Sequence, residues 1–368
     1  MRKFALTALL LLPAASAQTV PVIPATPTTA PAAPAAPTPV TPTPVTPTPA
    51  ATSTAPALTA LLLTAPVGAS TEFVSTTTSR SSIEDVQVSA AAGSKISEAK
   101  LNEARRSLQA AMGELKNMPA TTLTGKAFFK VTARDASGQT TLVNTIIQNM
   151  PPMAKTGAAK AKSSITMKFT QQIAPDGKVT FKGIESDDPQ IAAVFKTLTP
   201  EKMQQFATQN GTDFAGVYGK PLTIGEARTS TVNMDAEELM RSLLSAFAGP
   251  QGQKLFGDVK ASPLQVATTT TYMGQNAQGQ YAFETGSRFE PWHISLSVPA
   301  PASSAAPLSM NVDLLSAFGK GTATYRADGL PTSISQDTNM KMQMTMIMDG
   351  LQVKMTMSMA QSVSMKPR

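Results

Sequence analysis

Apolar and polar positions alternate most regularly near the end of the chain, between Met340 and Met365. From Met340 to Met348 every second residue is methionine, and Lys, Gln, Thr and Ile occupy the positions between them. Successive side chains of a strand point to opposite faces of its sheet, so a period of two predicts a strand with one apolar face. Residues 351–359 repeat the pattern and predict a second strand of the same kind.

Asp349-Gly350 separates the two runs and predicts a hairpin with a two-residue type I′ turn, in which both central residues have positive φ. A shift of one residue would turn every methionine toward the polar face, so the turn and the alternation predict one register. That register pairs Met348 with Leu351, Met346 with Val353, Met344 with Met355, Met342 with Met357 and Met340 with Met359. On the other face only Ile347, opposite Gln352, interrupts the polar residues.

The methionine face has three interpretations, because methionine is a flexible, polarizable side chain that adapts to varied partners. It is a core face covered by helices, or a deformable groove for an acyl chain or another apolar ligand, or a thioether site for a soft metal such as Cu(I). A metal site would need methionine pairs across the two strands, because same-face neighbours on one strand are about 7 Å apart. The candidate ligand-binding residues are Met340, Met342, Met344, Met346, Met355, Met357 and Met359.

The rest of the chain predicts further antiparallel strands and several helices. The spacing of Leu101, Ala104 and Leu108 predicts a helix over 95–117. Shorter helices are predicted to begin at Asp188-Pro189, at Thr199-Pro200 and at Asp235. Strands are predicted over 71–88, 126–133, 141–147, 164–173, 178–184, 264–273, 280–284, 292–298 and 321–325. Together these elements predict an α+β fold: a long antiparallel sheet, flat or curved, with helices packed on one face.

One short stretch occurs twice. Leu243-Leu-Ser-Ala-Phe247 recurs as Leu314-Leu-Ser-Ala-Phe318, and each copy precedes a predicted strand. The repeat is either a duplicated helix-plus-strand unit or a coincidence of a simple sequence.

The chain divides into three parts by composition. Residues 1–17 have the basic start, short apolar run and Ala15-Ser-Ala17 ending of a secretory signal peptide. Residues 18–65 are rich in Pro, Thr and Ala, which predicts an extended tether, and residues 66–368 form the folded domain. No later apolar run approaches the roughly 20 residues of a membrane-spanning helix, so we expect no transmembrane segment in the mature chain.

The composition limits the compartments and the functions that are possible for this protein. The chain has no cysteine and a formal net charge of +7, and export without disulfides favours the bacterial periplasm or cell envelope. The cationic residues are scattered and aromatic residues are few, which argues against a nucleic-acid-binding face. The single histidine, His293, has no G-x-S-x-G motif beside it, and no phosphate-binding loop is present. We therefore expect a protein that is not an enzyme and has no cofactor.

Three features carry a resemblance: the hairpin 340–365, the helix 95–117 and residues 319–331 with Tyr325 and Asp328-Gly329. In this order of elements the chain resembles uncharacterised exported β-rich bacterial envelope proteins and, more distantly, the lipoprotein-carrier half-barrel family. The resemblance implies a long sheet with a covering helix. With the methionine face, it favours a non-catalytic envelope protein that binds a lipid or acyl chain. The alternative is a scaffold protein of the envelope with no ligand.

Overall fold

The computed structural model describes residues 60–115, 119–149, 164–196, 217–237, 240–241, 258–298 and 308–368. The predicted signal peptide, nearly all of the predicted tether and the helix predicted after Thr199-Pro200 lie outside these residues. Within them, 13 strands form one antiparallel sheet and two helices are bounded at both ends.

The strands are β1 (Ser70–Ala90), β2 (Thr121–Arg134), β3 (Thr140–Asn149), β4 (Ser164–Ile173), β5 (Val179–Ser186), β6 (Ala227–Met234), β7 (Val259–Ala261), β8 (Leu264–Gln275), β9 (Tyr281–Phe289), β10 (Trp292–Val298), β11 (Leu308–Tyr325), β12 (Pro331–Met348) and β13 (Leu351–Pro367). The helices are α1 (Glu98–Leu115) and α2 (Pro189–Lys196). The spatial order is β5-β4-β3-β2-β1-β13-β12-β11-β9-β8-β6. β10 pairs with the first part of β11, and β7 pairs with β10.

The predicted methionine hairpin is confirmed as β12 and β13. Asp349 has φ 50° and Gly350 has φ 76°, as a type I′ turn requires. Every predicted pair is present, from Met348 opposite Leu351 to Met340 opposite Met359. The two strands are longer than predicted, with 18 and 17 residues, because the pairing continues past the methionines to Ile334 and Met365.

The sheet has two distinct ends. The turns at 135–139, 174–178, 275–280 and 326–330 lie at one end, which we call the base, and the Asp349-Gly350 turn lies at the other, which we call the rim. At the base, one cluster of buried side chains joins β4 and β5 to β9 and β11, and its large members include Phe169, Phe181, Phe283 and Tyr325.

The sheet is curved, because two adjacent residues at the base, Tyr218 and Gly219, contact two turns that lie far apart in the strand order. The Tyr218 hydroxyl donates a hydrogen bond to the Gly329 carbonyl oxygen at 2.6 Å, in the β11–β12 turn. The neighbouring Gly219 packs against Asp176 and Gly177 in the β4–β5 turn. In a flat sheet β4 and β12, five strands apart in the order, would be separated by about 24 Å, at about 4.8 Å a step. The clustered face is therefore the concave face.

Residues 60–65 close the base together with residues 217–222, and we call these two segments the plug. Leu61, Leu63 and Ala65 are buried, with 1%, 8% and 0% of their surfaces exposed. The Arg134 guanidinium donates from Nη2 to the carbonyl oxygens of Leu63 and Ala65, both at 2.8 Å. Residues 60–65 therefore pack against the base of the sheet.

The expected α+β fold with helices packed on one face is wrong, because the described chain is nearly all β. Helix α1 contacts β1, where the Arg105 Nε donates to the Val88 carbonyl oxygen at 3.2 Å. Helix α2 lies beside the edge strand β5, and Asp188 caps its start by accepting from the Ile191 N–H at 3.0 Å. No helix among the described residues combines the length and hydropathy needed to cross a membrane.

The second copy of the Leu-Leu-Ser-Ala-Phe stretch, 314–318, lies inside β11, so a duplicated helix-plus-strand unit is not present at this position. β11 begins at Leu308 instead of near residue 321, since both of its edges are hydrogen-bonded, to β12 on one side and to β10 and β9 on the other. Pairing on two edges outweighs the helical preference of a Leu- and Ala-rich stretch.

We expect the stability of the protein to fall at alkaline pH because two tyrosines are buried at the base. Tyr218 and Tyr325 are 1% and 3% exposed, and burial raises the pKa of both phenols above the ordinary value near 10. The folded state thus holds these protons more tightly than the unfolded state. Their stabilising contribution is complete below about pH 10 and declines as the pH rises toward the folded-state pKa.

Thermal unfolding followed by circular dichroism between pH 8 and 11 measures this effect. At pH 8 the free energy of unfolding of the Tyr218→Phe variant should be about 1 kcal/mol lower, because the hydrogen bond to Gly329 is lost. As the pH rises, the Tm of this variant should fall less steeply than the Tm of the unchanged protein. Parallel curves for the two proteins would contradict the expected role of the phenol.

Candidate functional site

The concave surface of β12 and β13 changes character twice between base and rim. Nearest the base it is apolar, with Ile334, Val363 and Met365 packed in the base cluster. Gln336, Thr338 and Gln361 follow, and we call these three residues the polar belt. Seven of the ten remaining concave positions toward the rim carry the candidate methionines, which we call the methionine zone: Met340, Met342, Met344, Met346, Met355, Met357 and Met359.

The structure brings all seven candidate methionines together on the concave face. Three cross-strand pairs, Met340/Met359, Met342/Met357 and Met344/Met355, follow one another along the hairpin. Met344 and Met359 are buried, with 6% and 7% exposed, and the other five are half-buried. At the rim Met348 is 54% exposed.

Neighbouring strands extend the apolar surface beside the methionine zone. Val312 of β11 pairs with Met344, and Met310 pairs with Met346. Ile294 and Leu296 of β10, Val259 of β7 and Met240, from a helical stretch that includes 236–237 and 240–241, belong to the same cluster. The β11 part was not predicted from the sequence, although Met310, Val312 and Leu314 alternate with polar residues in the same way as the methionines do.

The polar belt was not anticipated from the sequence. Gln336, Thr338 and Gln361 are 2%, 7% and 5% exposed. Both side-chain polar atoms of Gln336 and of Gln361 lack a hydrogen-bond partner among the described residues. On β11 the belt faces two buried glycines, Gly321 opposite Gln336 and Gly319 opposite Thr338. The only signal in the sequence was that Gln336 and Thr338 occupy the same alternating positions as the methionines.

The opposite, outer face of the hairpin is polar and is tied to β1. The Lys341 ammonium lies 2.6 Å from a carboxylate oxygen of Glu84, the bulged residue of β1. Hydrogen bonds from Lys341 and from Ser358 lower the pKa of Glu84. These contacts hold the outer face in place and keep its charges away from the methionine zone.

His293 lies on β10, where Trp292 and Ile294 take the alternate face. Its Nδ1 is 2.7 Å from Asp313 Oδ1, and both side chains are partly exposed. The nearby Ser262 hydroxyl accepts a hydrogen bond from the His293 main-chain N–H at 3.0 Å. The serine therefore contacts the backbone of His293 and joins β10 to the residues after β7, whereas the contact with Asp313 joins β10 to β11.

The arrangement offers thioethers and amides as its functional groups. Among the described residues, no three His, Cys, Asp or Glu side chains come together as a metal-binding group. Cross-strand methionine pairs are the geometry that a Cu(I) thioether site would need, and the structure contains three in succession. The same row offers a continuous apolar wall about 27 Å long, from Met340 to Met348.

No protein-family model, curated protein or solved structure matches this chain.

Proposed function

We propose that this protein is a non-catalytic exported envelope protein that binds an apolar ligand, the acyl chain of a lipid, along the methionine zone. The observation that carries the proposal is the difference in packing along the concave face. Around the base, Phe73, Phe129 and Leu142 are each 1% exposed, whereas five of the seven methionines are only half-buried. A face serving solely as core would be buried along its whole length.

The chemistry of the methionine zone suits an acyl chain. Thioether side chains have three rotatable bonds and can repack around chains of different length and unsaturation. Binding sites for small apolar molecules are concave and mostly apolar, with few polar groups. The uncharged concave positions of β12 and β13 meet this description, and the charges of the hairpin lie on its outer face.

The export part of the proposal is supported by the signal-like residues 1–17 and by the absence of cysteine from the sequence. In this setting the partner is a lipid or another component of the cell envelope. The rival function is that of an envelope scaffold without a ligand.

Changing two half-buried methionines tests the ligand. We expect the double variant Met346→Gln, Met357→Gln to bind a fluorescent acyl probe with an uncharged headgroup about tenfold or more weakly, because each change replaces an apolar contact by an amide that must be desolvated. Fluorescence titration gives the Kd.

Ile347→Gln is the matched control, since Ile347 lies on β12 between Met346 and Met348 but on the outer face. Its Kd should equal that of the unchanged protein. Solvent extraction of the purified protein adds an independent measurement. If no lipid copurifies and the unchanged protein binds no acyl probe, the scaffold function replaces the proposal.

A further inference from the structure

The polar belt lies directly below the methionine zone on the same two strands. Thr338 pairs with Gln361, and the next concave pair toward the rim is Met340 with Met359. One such step along a strand is about 7 Å. A molecule whose chain lies along the methionines therefore ends, on the base side, against the amides of the belt.

The amides of the belt lack partners that their burial requires. Gln336 and Gln361 are 2% and 5% exposed, and neither the amide nitrogen nor the amide oxygen of either residue has a hydrogen-bond partner among the described residues. Buried polar side chains are almost always hydrogen-bonded, since an unpaired amide away from water is destabilising. Four unpaired atoms on adjacent strands thus point to a bound ligand whose polar group supplies both hydrogen-bond donors and acceptors.

The residues around the belt favour a ligand whose polar group is uncharged. Every concave side chain of β1, β11, β12 and β13 is uncharged. The concave cations nearest in strand order are Arg134 on β2, three strands from β12, and Arg228 on β6, four strands from β12. The Arg134 guanidinium donates to the Thr140 hydroxyl oxygen and to carbonyl oxygens of the plug. Arg228 already donates to Glu226 at 3.1 Å. A carboxylate or phosphate placed at Gln336 would be buried without a countercharge, which is strongly unfavourable.

We propose that the ligand is a neutral acyl amphiphile of the glycerol ester class, whose headgroup hydrogen-bonds to Gln336 and Gln361 while its chain follows the methionine zone toward the rim. This inference rests on the proposed function and adds the headgroup class to it. The ester carbonyl accepts from the amide N–H groups, and the glycerol hydroxyls donate to the amide oxygens. Gly319 and Gly321, opposite the belt, place no side chain against the headgroup.

The test compares a monoacylglycerol with the free fatty acid of the same chain length at pH 8, where the acid is ionised. The unchanged protein should bind the monoacylglycerol at least tenfold more tightly. Gln336→Met and Gln361→Met keep the side-chain volume and should each weaken monoacylglycerol binding about tenfold, while binding of an alkyl probe without a headgroup stays the same. Without ligand, both variants should melt no lower than the unchanged protein, because no protein hydrogen bond is lost.

Gln343→Met is the matched control, since Gln343 lies on β12 opposite Thr356 on the outer face; it should leave both affinities unchanged. Equal affinities for the two lipids, or unchanged monoacylglycerol binding after both belt substitutions, would overturn the headgroup assignment and leave the acyl-binding function standing. Failure of the unchanged protein to bind either lipid or the alkyl probe would overturn the proposed function and this inference with it.

Discussion

A chain that begins at residue 66 is expected to be less stable than a chain that begins at residue 60 by about 5 kcal/mol. The shorter chain lacks Leu61 and Leu63, which are 1% and 8% exposed in the folded protein. Burial of one such side chain contributes about 1.5–3 kcal/mol. Because typical domains are stable by only about 5–15 kcal/mol, the loss would leave much of the protein unfolded near physiological temperature.

The truncation also removes hydrogen bonds that join four parts of the base. The N–H groups of Thr64 and Ala65 donate to the Asp328 carbonyl oxygen, and the Leu61 carbonyl oxygen accepts from the Gly219 N–H at 2.8 Å. The Arg134 guanidinium loses its carbonyl acceptors in the plug. Removing one partner leaves the other unsatisfied, which costs more than the net value of the hydrogen bond.

Urea denaturation followed by circular dichroism measures the difference between the two chains. Leu61→Ala in the longer chain should account for about 3 kcal/mol of it. Leu62→Ala is the matched control, since Leu62 is 40% exposed and should change the midpoint little. If the chains beginning at 60 and at 66 unfold at the same urea concentration, the plug does not stabilise the base.

Gly219→Ala is expected to cost about 3 kcal/mol or more, because it disrupts the contact between the plug and the β4–β5 turn. Gly219 has φ +68°, a conformation that costs an alanine about 1–2 kcal/mol. In addition, a Cβ here would lie within 3.0 Å of backbone atoms of Asp176 and Gly177. Backbone cannot rotate aside as a side chain can, so the plug and the turn must separate.

Gly225→Ala is the matched control for this prediction. Gly225 has φ +81°, and a Cβ added there meets nothing within 4 Å. Its variant should lose only the cost of the backbone conformation, about 1–2 kcal/mol. Thermal and urea unfolding of the two variants separate backbone strain from steric overlap. If both variants lose the same free energy of unfolding, Gly219 makes no close contact between the plug and the β4–β5 turn.

Features decided by neighbouring residues could be predicted from the sequence. The hairpin register follows from the alternation around Met344 and from the conformational demand of Asp349-Gly350, both of which act over a few residues. The strand over 164–173 and the cap at Asp188 follow from equally local patterns. For the same reason the alternation alone places the seven candidate methionines on one face of the hairpin.

Features that depend on contacts between distant segments could not be predicted in this way. The stretch 314–318 has a helical composition, and pairing on both edges of β11 makes it a strand. Residues 60–65 form neither a helix nor a strand, and contacts with the concave base bury Leu61 and Leu63.

The sequence alone thus determined which side chains of the hairpin share a face, because the period of a strand and the geometry of its turn are local properties. Only the tertiary structure decided that this face is concave, that its base is closed by the plug and that Gln336 and Gln361 are buried beneath the methionines. Curvature and burial arise from contacts such as those of Tyr218 and Gly219 with two turns far apart in the chain, and no local pattern encodes them.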